Sequence, residues 1–153
     1  MKIATFKARC KACREEFPCP GLGDQSYGSF LFTGEKGSVF AILHALNHPV
    51  WDYLESALPL PKSGLSRESD CKRGDRIQAA CAYFADYING QSLCNYDVCP
   101  RCHSFACDFW GHEQTGSIEI GEVSYTDFMS LPEEVRRQRA IDFDRAFQLN
   151  IPA

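Results

Sequence analysis

Apolar residues along this chain alternate with polar ones in several short runs, and repeat at helical spacing in three longer stretches. Residues 3–8 alternate, with Ala4, Phe6 and Ala8 to one side, and predict a short strand. From Arg14 to Gly21, two prolines and a glycine predict irregular chain. Residues 27–33 and 38–43 predict a hairpin, because Gly34-Glu35-Lys36-Gly37 between them tolerates positive φ. Phe30, Phe32, Phe40 and Ile42 are expected to load one face of that hairpin. Past the middle, residues 104–110 and 117–123 read as two further strands joined by a turn at 111–116.

Three stretches carry helical spacing. A helix is expected from about Asn47, with Asn47 or His48 as cap and Pro49 in the first turn, where a missing N–H costs nothing. Val50, Trp51, Leu54, Ala57 and Leu58 share one face, and Pro59 and Pro61 end it. The polar run 62–75 predicts a surface loop. A second helix is expected over 75–89, where Ile77, Ala80, Cys81, Phe84 and Ile88 form one stripe and Gly90 stands at C′. The third runs over 132–149 behind Ser130 as cap. Leu131, Val135, Phe143, Ala146 and Phe147 form its inner side, and its charged residues, Asp144 among them, face water.

Two cysteine pairs change the picture. Cys10-Lys11-Ala12-Cys13 and Cys99-Pro100-Arg101-Cys102 each separate their thiols by two residues, a spacing that turns both sulfurs to one cation. Four thiolates are the ligand set of a closed tetrahedral Zn²⁺ site with a structural role, so Cys10, Cys13, Cys99 and Cys102 are the expected ligands. An iron site of rubredoxin type uses the same ligands. Nine cysteines is an odd number, and Met1 to Lys7 shows no export-signal pattern, so a reducing cytoplasm is expected. Cys19, Cys71, Cys94, Cys107, His103 and His112 are the substitute ligands, whereas Cys81 lies in a helical stripe and reads as core.

At these pairs the chain resembles the zinc-ribbon group, whose knuckles carry Cys-x-x-Cys and often Cys-Pro-x-Cys. The likeness spans only the two pairs and the strands beside them. It departs from the group in two respects: Arg14 and His103 stand where zinc-ribbon knuckles usually have glycine, and residues 14–98 separate the pairs. Loop closure grows only logarithmically with length, so so long an insertion is tolerable.

Charge and length bound the function. A net charge of −4 opposes wholesale wrapping of a nucleic-acid backbone, and no apolar run is long enough to span a bilayer. Catalytic residues are not expected. His44 and His48 lack the glutamate of a zinc-protease motif, since Ala45 holds that place. Strand-like sequence after Cys102 also counts against thioredoxin-type chemistry, which needs a helix N-terminus there. The expectation is one α+β domain over residues 1–153, with antiparallel strands, a zinc-ribbon-like four-cysteine site and about three packed helices. It would bind a basic protein partner stoichiometrically, as an inhibitor or immunity protein does, with Tyr27, Trp51, Tyr53 and Trp110 as contacts. The alternative is a nucleic-acid-binding or transcription accessory protein, using Lys7, Arg9, Lys11 and Arg14 or Arg136, Arg137 and Arg139.

Overall fold

The computed structural model describes residues 1–23 and 27–149, and leaves the side chains of Phe109 and Trp110 outside that description, so the expected contact of Trp110 lies beyond it. Strand β1 (Lys2–Cys10) is the middle of a three-stranded antiparallel sheet, flanked by β2 (Glu16–Pro20) and β6 (Cys107–Glu119). Ile3 and Thr5 point inward, and then Ala8 and Cys10 do. That change of parity follows from register shifts against β6 between Thr5 and Ala8, so the expected face of Ala4, Phe6 and Ala8 does not form.

Residues 16–20, expected to be irregular, form strand β2, because an edge strand tolerates proline and Pro18 and Pro20 sit on the sheet edge. The two strands expected around 111–116 are instead one. β6 follows β1 from Cys10↔Cys107 to Lys2↔Glu119, and its residues between Phe109 and Gln114 bulge opposite Lys7. Glycine and polar residues marked a bulge there, not a turn.

The second sheet has the order β5 (Leu93–Cys94), β3 (Ser29–Gly34), β4 (Phe40–His44), β7 (Gly121–Glu122). The β3–β4 hairpin forms as expected, with Phe32 opposite Ala41 and Gly34 accepting from the N–H of Gly37 at 2.8 Å. β7 runs parallel to β4. The expected single loaded face is two faces: partners across the hairpin share a side, so Phe32, Ala41 and Leu43 face the helices. Leu31, Phe40 and Ile42 face the first sheet, where they meet Ile3, Ile118 and Ile120.

Helix α1 (Pro49–Ala57) starts at His48, whose Nδ1 accepts the Val50 N–H at 3.2 Å, and buries Val50 and Leu54. Helix α2 (Arg67–Tyr83) starts and ends earlier than the pattern predicts. Ser66 caps it, its Oγ accepting from the Ser69 N–H at 3.1 Å, so half of the expected loop is helix. Ile77, Ala80, Cys81 and Phe84 keep their stripe, but Ile88 lies past the end. Asn89 and Gly90, at φ 50° and 73°, form the tight turn that closes the Ile88–Gln91 bridge. An Asn-Gly pair is a hairpin signal of this kind, and here it outranks the helical stripe.

One short helix, α3 (Thr126–Ser130), precedes α4 (Glu133–Leu149), so Ser130 ends one helix instead of capping the next. In α4 the inward side chains include Ala140 and Asp144, both at most 2% exposed, while Val135 and Ala146 face outward. Apolar periodicity could not show this, because a charged residue holds one of the core positions. The result is a mixed, antiparallel-rich α+β fold in which helices cover one face of the second sheet and the first sheet covers the other. Among the described residues no helix is long and apolar enough to cross a membrane.

Candidate metal centre

β1 delivers Cys10 into a turn that carries Cys13, and the segment between β5 and β6 carries Cys99 and Cys102. Both turns use the same backbone bonds. Arg14 N–H donates to the Cys10 carbonyl at 3.0 Å, and His103 N–H donates to the Cys99 carbonyl at 2.9 Å. Cys10 N–H donates to Glu15 and Cys99 N–H to Ser104, at 2.9 and 2.8 Å. Arg14 and His103 sit at φ 69° and 62°. The two residues that replace the usual knuckle glycine therefore adopt the left-handed conformation glycine would supply, against a local cost of about 1–2 kcal/mol each.

The four sulfurs all lie within 4.8 Å of one another. Cys10 Sγ is 3.5 Å from Cys102 Sγ, and Cys13 Sγ is 3.6 Å from Cys99 Sγ. A disulfide needs roughly 2.05 Å, so these are free thiols. A tetrahedron with metal–sulfur bonds of roughly 2.3 Å has edges of about 3.8 Å, which matches the spacing. Cys10 and Cys99 are fully buried, Cys13 is half-buried and Cys102 exposed. The four cysteines are positioned to hold a metal ion.

Their protonation fits such a role. The Cys13 backbone N–H, donating to the sulfur at 3.5 Å, is the main cause that brings the Cys10 thiol down to about 6, against desolvation. At Cys13 the backbone N–H of Glu15 pulls the other way, but desolvation and the thiols of Cys102 and Cys99 outweigh it and push the group up to about 12. The Cys10 sulfur ionises readily, whereas the thiols of Cys13 and Cys102 are pushed the other way. A divalent cation removes that conflict by favouring all four thiolates.

Neighbouring parts hold the two turns in position. Lys11 N–H donates to the Ala106 carbonyl at 2.8 Å, joining the first turn to the approach of β6. Arg101 Nη1 reaches Glu15 at 3.1 Å across the two loops. Gly37, at the tip of the β3–β4 hairpin, lies directly against the second turn: a Cβ there would stand 2.4 Å from the Val98 carbonyl oxygen and 3.0 Å from the Cys99 carbonyl carbon. Gly37 looked like an ordinary hairpin glycine in the sequence, and nothing local linked it to a cysteine sixty positions on.

None of the substitute ligands joins the cluster among the described residues. Cys19 and Cys107 pack beside it, and burial raises both thiols, Cys107 to about 11. Cys94 donates to the Thr33 carbonyl at 3.2 Å, Cys71 is exposed on α2, and His103 and His112 are exposed. Cys81 is core, as expected, with its thiol pushed up to about 12 by burial. His48 is a helix cap, and His44 Nδ1 lies 3.0 Å from Ser29 Oγ.

Comparison with known proteins finds no matching family model, no similar curated protein and no similar solved structure. No family is assigned. What the chain does must be argued from its own geometry.

Proposed function

We propose that this chain is a zinc-stabilised, non-catalytic binding protein that captures a protein partner stoichiometrically, in the manner of an inhibitor or immunity protein. The observation that carries the reading is the closed set of four thiols from Cys10, Cys13, Cys99 and Cys102. Four protein ligands leave no open position for water or substrate, so the ion's task is to hold the chain. Paired turns of this form at the end of a three-stranded sheet support the zinc-ribbon-like reading of the site. Zinc is preferred to iron because a tetrathiolate cage suits a d¹⁰ ion without redox demand.

The nucleic-acid alternative loses ground at its own residues. Lys7 pairs with Glu16 at 2.9 Å, Lys11 with Asp108 at 3.2 Å, and Arg137 with Glu133 at 3.0 Å. Arg136 lies over the Tyr53 ring, 5.0 Å from its centre. Cations already matched to carboxylates release few counterions on meeting phosphate. Of the expected aromatic contacts, Trp51 stacks on Phe30 and Tyr53 packs on Phe128, so both serve the core, while Tyr27 is exposed.

The test is whether zinc-loaded protein, used as bait, yields a stable one-to-one complex with a purified protein partner and ignores single- and double-stranded oligonucleotides. Salt-sensitive oligonucleotide binding without any protein complex would reverse the preference.

A further inference from the structure

The second cysteine turn does more than close the metal site: it forms one wall of a groove of about 1040 Å³. Val98, His103 and Phe105 stand on that wall, and the end of α2 and the side of α4 that carries Arg139, Asp142, Phe143 and Phe147 face them. Tyr83, Tyr87, Tyr96 and Phe105 are 64%, 69%, 51% and 71% exposed, and all four line this groove. Among the described residues, Tyr27 is the exposed aromatic side chain that does not. Tyr96 and Phe105 lie 5.3 Å apart between ring centres, and Tyr83 and Phe143 5.0 Å apart, so the groove carries two aromatic pairs. Solvent-facing aromatics scattered singly need no explanation, but four gathered in one concavity mark a surface made for contact.

The groove also has a sign. Glu35, Asp86, Asp127 and Asp142 line it against a single guanidinium, Arg139. Carboxylates around a low-dielectric cleft focus a negative potential into it. Aromatic faces add attraction for cations that lie over them. Phosphate would be repelled from the same place. The volume lies at the upper end of the usual range of drug-sized sites, roughly 300–1000 Å³, and is large enough to take a short stretch of chain.

We propose that this groove is the docking site for a cationic segment of the partner protein, one in which arginine or lysine alternates with apolar residues. Its cations lie over Tyr83, Tyr87, Tyr96 and Phe105 and face the rim carboxylates, while its apolar side chains meet Phe143 and Phe147. The proposal rests on the protein-capture reading above and adds where the partner sits and what chemistry it brings. Because His103 and Phe105 belong to the metal-bound turn, loss of the ion dismantles one wall, and docking is metal-dependent.

The experiment selects from a phage-displayed random peptide library on the immobilised, zinc-loaded full chain, then measures one selected peptide by fluorescence anisotropy. The expected winners are rich in arginine or lysine with apolar residues between, and bind one-to-one. Phe105→Ala and Tyr87→Ala, both at exposed positions that the fold does not need, each weaken binding about tenfold or more. Asp127→Asn reduces the salt dependence, and Tyr27→Ala changes nothing. Acidic winners, no winners, displacement by a single-stranded oligonucleotide, or affinity indifferent to Phe105→Ala and Tyr87→Ala would overturn the proposal. A groove filled by a second copy would show as a dimer that Phe105→Ala converts to monomer in sedimentation, and also overturns it. These failures are separable from failure of the capture reading: peptides that bind elsewhere leave capture standing, whereas capture falls only if no protein complex forms at all.

Discussion

At Gly37 a hydrogen stands where any other residue would carry a methyl group aimed at the Val98 carbonyl. Its φ of +71° adds a second reason for glycine. Gly37→Ala combines the left-handed penalty with overpacking against a backbone that cannot give way, an expected loss of about 3 kcal/mol together with weaker metal retention. Gly64, at φ +79° with nothing within 4 Å of the same imaginary methyl, is the control. Gly64→Ala is expected to cost about 1 kcal/mol and leave metal retention unchanged, as measured by denaturant unfolding and metal analysis.

Asp86 works on the same scale. Its carboxylate accepts the backbone N–H groups of Thr126 at 2.8 Å and Asp127 at 3.0 Å, and the Ser124 hydroxyl, so it caps α3 from a distant segment. Desolvation would raise this carboxyl, but those hydrogen bonds outweigh it and hold it below its ordinary 3.8. The folded state therefore binds the proton more weakly than the unfolded chain. The cap's contribution is complete above the ordinary value and fades as pH falls below it through the folded value. Asp86→Ala is expected to cost about 1 kcal/mol at neutral pH, and the difference from the parent should shrink in acid unfolding curves.

Among the elements, α2 and α4 are joined through charge as much as through apolar packing. Arg76 Nε reaches Asp144 at 3.0 Å, and Gln148 donates to the other carboxylate oxygen at 2.9 Å, all behind a carboxylate only 2% exposed. The same guanidinium reaches the Pro59 carbonyl at 3.3 Å after α1. Arg76→Met strands a buried carboxylate and is expected to cost about 3–5 kcal/mol, whereas Arg76→Met with Asp144→Leu recovers most of it. Thermal unfolding of the two variants checks the difference. Equal losses would mean that the pair matters for packing alone.

This pair also shows why α4 was only half legible in the sequence. A charged residue in a helical stripe looks like a solvated one until its partner, sixty-eight positions away, is known. α1 was legible because its cap, its first-turn proline and its stripe are all local. The stripe of α2 was legible too, but its start was set by Ser66, and Ile88 at the far end of the stripe is taken up by the Asn89-Gly90 turn instead of the helix. β6 is one strand where the sequence predicts two, because a bulge and a turn draw on the same residues and only β1 alongside decides between them.

For the whole molecule, the two sheets meet through Ile3, Ile42 and Ile120 at one place, and at another Gly37 of the second sheet's hairpin lies against the cysteine turn at the end of the first. The thiol pairs were legible from spacing alone, since two-residue spacers are a local requirement of the chemistry. What spacing could not reveal is that residues 14–98 hold β3, β4 and β5 of the second sheet with helices α1 and α2, and that the groove beside the second turn borrows a wall from the cysteine site. An ion held by the four cysteines would close a loop that contains three of the four strands of the second sheet, a constraint whose entropic worth grows only slowly with loop length.

The most direct measurement is elemental analysis of the purified chain combined with unfolding before and after chelation. One zinc ion per chain is expected, with Cys10→Ser or Cys99→Ser abolishing retention and a chelator collapsing the circular-dichroism signal of the fold. A chain that carries no metal and unfolds at the same midpoint with chelator as without it would contradict the account.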